Sequence, residues 1–105
     1  MIELPKTIKV AVRAYTVKQD YRFIEKDTLE GQIDYRLQEL RLRKMDWCGN
    51  ELHNDHQWQV FFHELLHAID NAYNANKLDD ETVDRLASGL FQVLKENKIT
   101  IEDGV

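Results

Sequence analysis

The stretch Trp58-Gln59-Val60-Phe61-Phe62-His63-Glu64-Leu65-Leu66-His67-Ala68-Ile69-Asp70 decides how this chain is read. Inside it, His63-Glu64-x-x-His67 is an H-E-x-x-H pattern, which on a helix offers a metal ion two imidazoles and places a general base beside it. Residues four apart lie one turn apart on the same helical face, so His63 and His67 can reach one ion. Glu64 is rotated by about 100° from His63 and can stand next to a water in an open coordination position. Apolar residues at helical spacing surround the pattern (Val60, Phe61, Phe62, Leu65, Leu66, Ala68, Ile69, Ala72, Tyr73), and neither Pro nor Gly interrupts the run from Glu51 to Ser88. The spacing predicts a largely buried helix ending near Asn74, with Asn54 or Asp55 as its N-cap. The plainer alternative is an amphipathic helix whose polar stripe happens to hold His63, Glu64 and His67.

Two histidines are one protein ligand short of a catalytic zinc site, which pairs three protein ligands with a water. His56 shares nearly the same face but lies two turns away, about 10 Å, too far to share the ion. Asp70 and Asn74 lie further along that face, and Asp70 reads as a rim or solvated residue. A second helix starting near Leu78 or Asp79, with Asp79 or Asp80 as its cap, presents Val83, Leu86, Ala87, Leu90 and Leu94 on one face. Relative to that face Asp80 falls about 70° from the centre, Asp84 about 110° and Glu81 about 170°. Phase favours Asp80 as the third ligand; the longer side chain favours Glu81. With Asp80 as ligand, Asp84 one turn on is placed to accept the free N–H of a ligand histidine. An acid-rich helix start also has a purely electrostatic explanation.

Before the helices, the chain alternates. Ile8, Val10 and Val12, continuing through Thr16 and Val17, predict a first strand. Tyr21 to Glu25 reads as a short strand or the end of a long hairpin, Asp27 to Gly31 as a turn, and Gly31 to Leu37 as a half-buried strand. Gln38 to Arg43 reads as a last strand with charges on one face, an edge strand able to pair with an extended peptide. Asn97 to Val105 reads as a tail or a short strand. Strands followed by helices give an α+β class, with a small antiparallel sheet against a helix pair.

At 105 residues, 43% hydrophobic and 31% charged, the composition is that of one globular domain spanning residues 1–105. A net charge of -5 disfavours nucleic acid as a partner, since several phosphates need a surplus of Lys and Arg; Arg36, Arg41, Arg43 and Lys44 are the local exception. The single cysteine, Cys48, is expected to pack rather than react, and the absence of a possible intrachain disulfide suits a cytoplasmic location. The start Met1-Ile2-Glu3-Leu4-Pro5 lacks a signal-peptide layout, and no apolar run reaches membrane-spanning length, so no membrane partner is expected.

The motif His63-Glu64-Leu65-Leu66-His67, the acidic helix start and the stretch Arg85-Leu86-Ala87-Ser88-Gly89-Leu90-Phe91-Gln92-Val93-Leu94-Lys95-Glu96-Asn97 together resemble small phage- and prophage-associated zincin-like proteins akin to the ImmA/IrrE metallopeptidases. The resemblance covers the second half of the chain; in the first half it reaches only the Gly31-x-Ile33-Asp34-Tyr35 stretch. It implies a minimal gluzincin: a small sheet packed on the H-E-x-x-H helix, Zn²⁺ as cofactor, an acidic third ligand on the next helix, and a peptide or protein substrate, including phage or host regulatory proteins. Larger relatives carry an E-x-x-A-N pattern whose Glu aligns with Asp80, and whose last two positions align with Val83 and Asp84. Glu64 is the implied catalytic base.

Overall fold

The computed structural model describes residues 3–24 and 29–101. Its central element is a helix, α1 (Asn54–Tyr73), whose Trp58, Phe61, Phe62, Leu65 and Ala68 recur every three or four residues and are all buried. The rings of Trp58, Phe61 and Phe62 meet at centroid separations of 5.4 and 5.5 Å, so much of the core is one aromatic cluster. A second helix, α2 (Asp80–Glu96), buries Val83, Ala87 and Phe91 at four-residue spacing and joins the cluster through Phe91, 6.4 Å from Phe62. Burying each large side chain of this kind contributes about 1.5–3 kcal/mol.

The caps follow local chemistry. Asp79 Oδ1 accepts from the N–H of Thr82 at 2.8 Å and starts α2, one of the two expected caps. The N-cap of α1 is His53, whose Nδ1 accepts from the N–H of Asp55 at 3.2 Å, one residue ahead of the expected Asn54 or Asp55. A neutral imidazole offers the same lone pair that a Ser or Asp would.

The sheet has four strands, β1 (Thr7–Val10), β2 (Arg13–Lys18), β3 (Gly31–Asp34) and β4 (Glu39–Leu42), in the order β1-β2-β4-β3. The fold is α+β, as expected, but the sheet is mixed where an antiparallel one was expected. β1 and β2 form one antiparallel hairpin and β3 and β4 another; the hairpins join through parallel pairing of β2 with β4, Val17 opposite Leu40. This arrangement puts β4 in the middle, where Leu40 and Leu42 are fully buried against the helices. The expected edge strand is therefore interior, and β3 is an edge. The charged face of β4 is internally neutralised: Arg41 lies 2.8 Å from Glu39 and 3.1 Å from Asp34 and stacks over the ring of Tyr21 at 4.6 Å.

Other expectations shift as well. The alternation from Ile8 to Val17 is broken at Ala11, which takes φ 57°, and at Val12, which is fully exposed, so one expected strand is a hairpin. Tyr21 to Ile24 is irregular chain, anchored by the Tyr21 N–H donating to the Leu42 carbonyl at 2.9 Å. Glu25 and the first two residues of the expected turn, Asp27 and Thr28, lie outside the described residues. β3 stops at Asp34, whose Oδ1 accepts from the Leu37 N–H at 2.8 Å and turns the chain back. Asn97 to Ile101 contains no strand, and residues 102–105 lie outside the described residues. Cys48 is exposed on a turn whose N–H groups bind Asp46, not packed. Among the described residues no helix is long and apolar enough to cross a membrane.

Candidate metal centre

The α1 stripe next to its buried face carries His63, Glu64 and His67 into a cleft of about 680 Å³, bounded on one side by β3 and on the other by the start of α2. His63 Nε2 and His67 Nε2 lie 3.1 Å apart, and Asp80 Oδ1 lies 3.0 Å from His67 Nε2. One donor atom from each of His63, His67 and Asp80 falls within 4.8 Å of the others. Tetrahedral zinc with bonds of about 2.0–2.1 Å separates its ligand atoms by roughly 3.3 Å, and two imidazole nitrogens with one carboxylate oxygen are donors that zinc accepts. The set fits the ion. The His63 and His67 side chains are largely buried, whereas that of Asp80 is 86% exposed.

The two alternatives for the acidic position are separated by their neighbours. Glu81 is held by Arg85 one turn along α2, on the exposed side, and does not join the histidines. Asp84 Oδ1 lies 3.4 Å from His63 Nδ1, placed to accept that N–H. A proton on Nδ1 leaves the lone pair of His63 on Nε2, the nitrogen that faces His67.

Glu64 is buried, and loss of hydration, followed by the charge of Asp80, pushes its carboxyl up to about 7. The close approach of β3 produces that burial. A Cβ on Gly31 would stand 2.5 Å from Val60 Cγ1 and 3.2 Å from Glu64 Oε2, so only glycine allows the strand to lie this near the helix. The Arg43 N–H donates to the Glu30 carbonyl at 2.9 Å, and the register continues through Gln32 opposite Arg41. Hydrogen-bonded pairs alternate along an antiparallel ladder, so the backbone groups of Gly31 and Ile33 point away from β4. Among the described residues no strand pairs with that side of β3.

Three further residues complete the cleft or its frame. The hydroxyl of Tyr35 donates to the His67 carbonyl at 3.1 Å and fastens α1 to the end of the β3 strand. Burial, followed by the charges of Tyr15, Glu64 and Asp70, raises its pKa and keeps it a phenol. His56, a cleft residue two turns before His63, is paired with Glu30. Asp70, expected at the rim or in solvent, is buried: it accepts from Asn74 Nδ2 at 2.9 Å and from the Leu78 N–H at 3.2 Å, tying the end of α1 to the approach of α2. Tyr73 is exposed near the end of α1 and is not among the cleft residues. Nor do the basic residues of 36–44 form one patch: Arg41 is ion-paired, Arg43 donates to the Leu29 carbonyl at 2.8 Å, and Lys44 lies 3.9 Å from Glu51.

No family model, curated protein or solved structure matches the chain.

Proposed function

We propose that this chain is a zinc-dependent peptidase of the minimal gluzincin type, akin to the phage-associated relatives of the ImmA/IrrE metallopeptidases. What supports the reading is the convergence of His63, His67 and Asp80 on one point, with the buried Glu64 in the same cleft. His63, His67 and Asp80 would hold the ion. Zinc bound there would supply Lewis-acid chemistry, acidifying a water and polarising the peptide carbonyl.

The remaining work belongs to the chain. Asp84 holds the Nδ1 proton of His63 and thereby fixes its tautomer. Glu64 takes a proton from the attacking water onto its carboxylate and releases it to the amine nitrogen as the C–N bond breaks, which returns it to the carboxylate. The outward N–H and C=O groups of Gly31 and Ile33 hold the substrate in extended form, the role first expected of Gln38 to Arg43. Edge pairing of this kind reads backbone, so it suits a peptide or protein substrate.

The test combines elemental analysis with peptide hydrolysis by the purified chain. One zinc per chain, with hydrolysis lost on chelation and restored by zinc, is the expected result. Glu64→Gln should retain the metal and lose turnover. A variant that keeps both would overturn the role of Glu64, and a chain without stoichiometric metal would overturn the whole reading. The exposure of Asp80 favours a second reading, a zincin-fold module that binds a phage or host protein without cutting it. Metal-independent peptide binding with no hydrolysis would select that one.

A further inference from the structure

We propose that the pocket walled by Tyr21, Phe23, Leu29 and Gln32, on the sheet face away from α1, takes an aromatic side chain of a peptide lying along the open edge of β3. The inference rests on the reading that this edge receives an extended peptide, and it adds which residue that peptide carries.

A strand added to an edge points its side chains alternately to the two faces of the sheet, and directly opposed residues share a face. A Cβ on Gly31 would point at Val60 and Glu64, so peptide residues opposite Gly31 and Ile33 face α1 and the metal centre. The residue opposite Gln32 faces the other way. On that face lies a second pocket of about 490 Å³, and Leu29 and Gln32 line both it and the cleft. A single extended chain on β3 therefore reaches both at once, through neighbouring residues.

The walls state what fits. The rings of Tyr21 and Phe23 meet edge to face at 4.9 Å, and a guanidinium lies over each, Arg41 at 4.6 Å and Arg43 at 5.6 Å, so an entering ring meets the edges and faces that these leave. Arg41 lies against Tyr21 at 4.6 Å, with Asp34 and Glu39 at 3.1 and 2.8 Å offsetting its charge, and the exposed Arg22, which also lines the pocket, adds a guanidinium that an aromatic ring can stack on. Gln32 Oε1 accepts from Arg41 Nη1 at 2.9 Å, which turns the amide so that its NH₂ is a donor. An aromatic ring covers the apolar wall, and a tyrosine hydroxyl finds that donor. An alanine leaves the wall wet.

The experiment uses the full chain and a library of extended peptides randomised at one position. Hydrolysis is followed by kcat/KM, and binding is measured in parallel on Glu64→Gln. The expected result is a preference for Tyr, Phe or Trp over Ala of about tenfold or more at a single position. Phe23→Ala should shrink that ratio about tenfold, and Phe23→Trp, which fills the pocket, should reverse it in favour of small residues. No aromatic preference, or one that survives both substitutions, overturns the proposal. Peptides bound with the preference but never cut keep the pocket and overturn hydrolysis. Peptides cut without the preference do the opposite. Neither binding nor cleavage overturns both.

Discussion

Asp70 and Leu78 are joined across the turn between the two helices: the carboxylate accepts the Leu78 N–H at 3.2 Å, two residues before Asp80. The same side chain also receives the Asn74 amide, and its backbone carbonyl takes the N–H groups of Asn74 and Asn76. A buried acid thus sets where α2 begins, and with it where Asp80 stands relative to His67. Asp70→Ala leaves the Leu78 N–H and the Asn74 side-chain amide without their acceptor, at a cost of about 1–3 kcal/mol, while the backbone carbonyl keeps its two donors. Urea unfolding should show that loss, and zinc affinity should fall with it although Asp70 touches none of the three donor residues.

Gly31→Ala should be damaging out of proportion to one methyl group. The new Cβ would sit 2.5 Å from Val60 Cγ1 and 3.1 Å from Glu64 Cγ, so β3 must retreat or the helix side chains must move. Overpacking of this kind costs about 1–3 kcal/mol. Unfolding midpoints test the stability term; displacement of Glu64 should appear as lost turnover exceeding the loss of folded protein.

The acidic residues at the start of α2 should separate cleanly under mutation. Asp80→Ala removes a donor and should abolish tight zinc binding. Asp84→Ala removes only the partner of His63 Nδ1, with an expected weakening of about 10–100-fold. Glu81→Ala should leave affinity unchanged, because that carboxylate faces Arg85. Competition with a chromogenic chelator measures all three, and a loss in Glu81→Ala as large as in Asp80→Ala would reverse the assignment.

Acid and neutral pH should act on different groups, with opposite signs. Thr82, through its hydroxyl and its N–H, holds Asp79 below the usual carboxylate range; the Asn50 N–H, followed by that of Cys48, does the same for Asp46. Their contribution is complete above the unfolded value near 3.9 and is lost as pH falls through the lower folded values. Glu64 is the reverse case, raised from 4.5 to about 7, so in chelated protein its ionisation removes stability as pH climbs across that interval. The full span corresponds to ~3 kcal/mol. In chelator at pH 8, Glu64→Gln should therefore unfold at higher urea than the parent chain, and the two should converge towards pH 4.5. A gap that does not change with pH would contradict the assignment.

The helices were legible because apolar residues from Val60 to Tyr73, and then Val83, Leu86, Ala87, Leu90 and Leu94, repeat at helical spacing, although the face that α2 buries is turned towards Phe91 and leaves Leu86 exposed. The first hairpin was not. Ala11 and Val12 carry no turn signal, Val12 continues the alternation, and its full exposure is a consequence of the turn rather than a property of valine. Strand order was hidden for a different reason: the pairing of β2 with β4 joins residues over twenty positions apart, which local pattern does not encode. At the site, helical phase already favoured Asp80 over Glu81. The ion pair that holds Glu81 away from the histidines was also in the sequence, since Arg85 lies four residues after it. Asp70 was misread because a polar residue on a helix looks solvated until the turn that needs it is known.

Among the described residues, the hairpin of β1 and β2 supplies none to the cleft, whose walls come from residue 29 onward, and none to the aromatic pocket beside β3. It nevertheless closes the core over Leu40 through Val17. The proposed site thus draws on one part of the molecule, and the hairpin only permits it to fold. Substitutions within residues 7–18 should change how many copies are folded and leave each folded copy as competent as before, so variation there can accumulate up to the limit of stability without altering what the chain recognises.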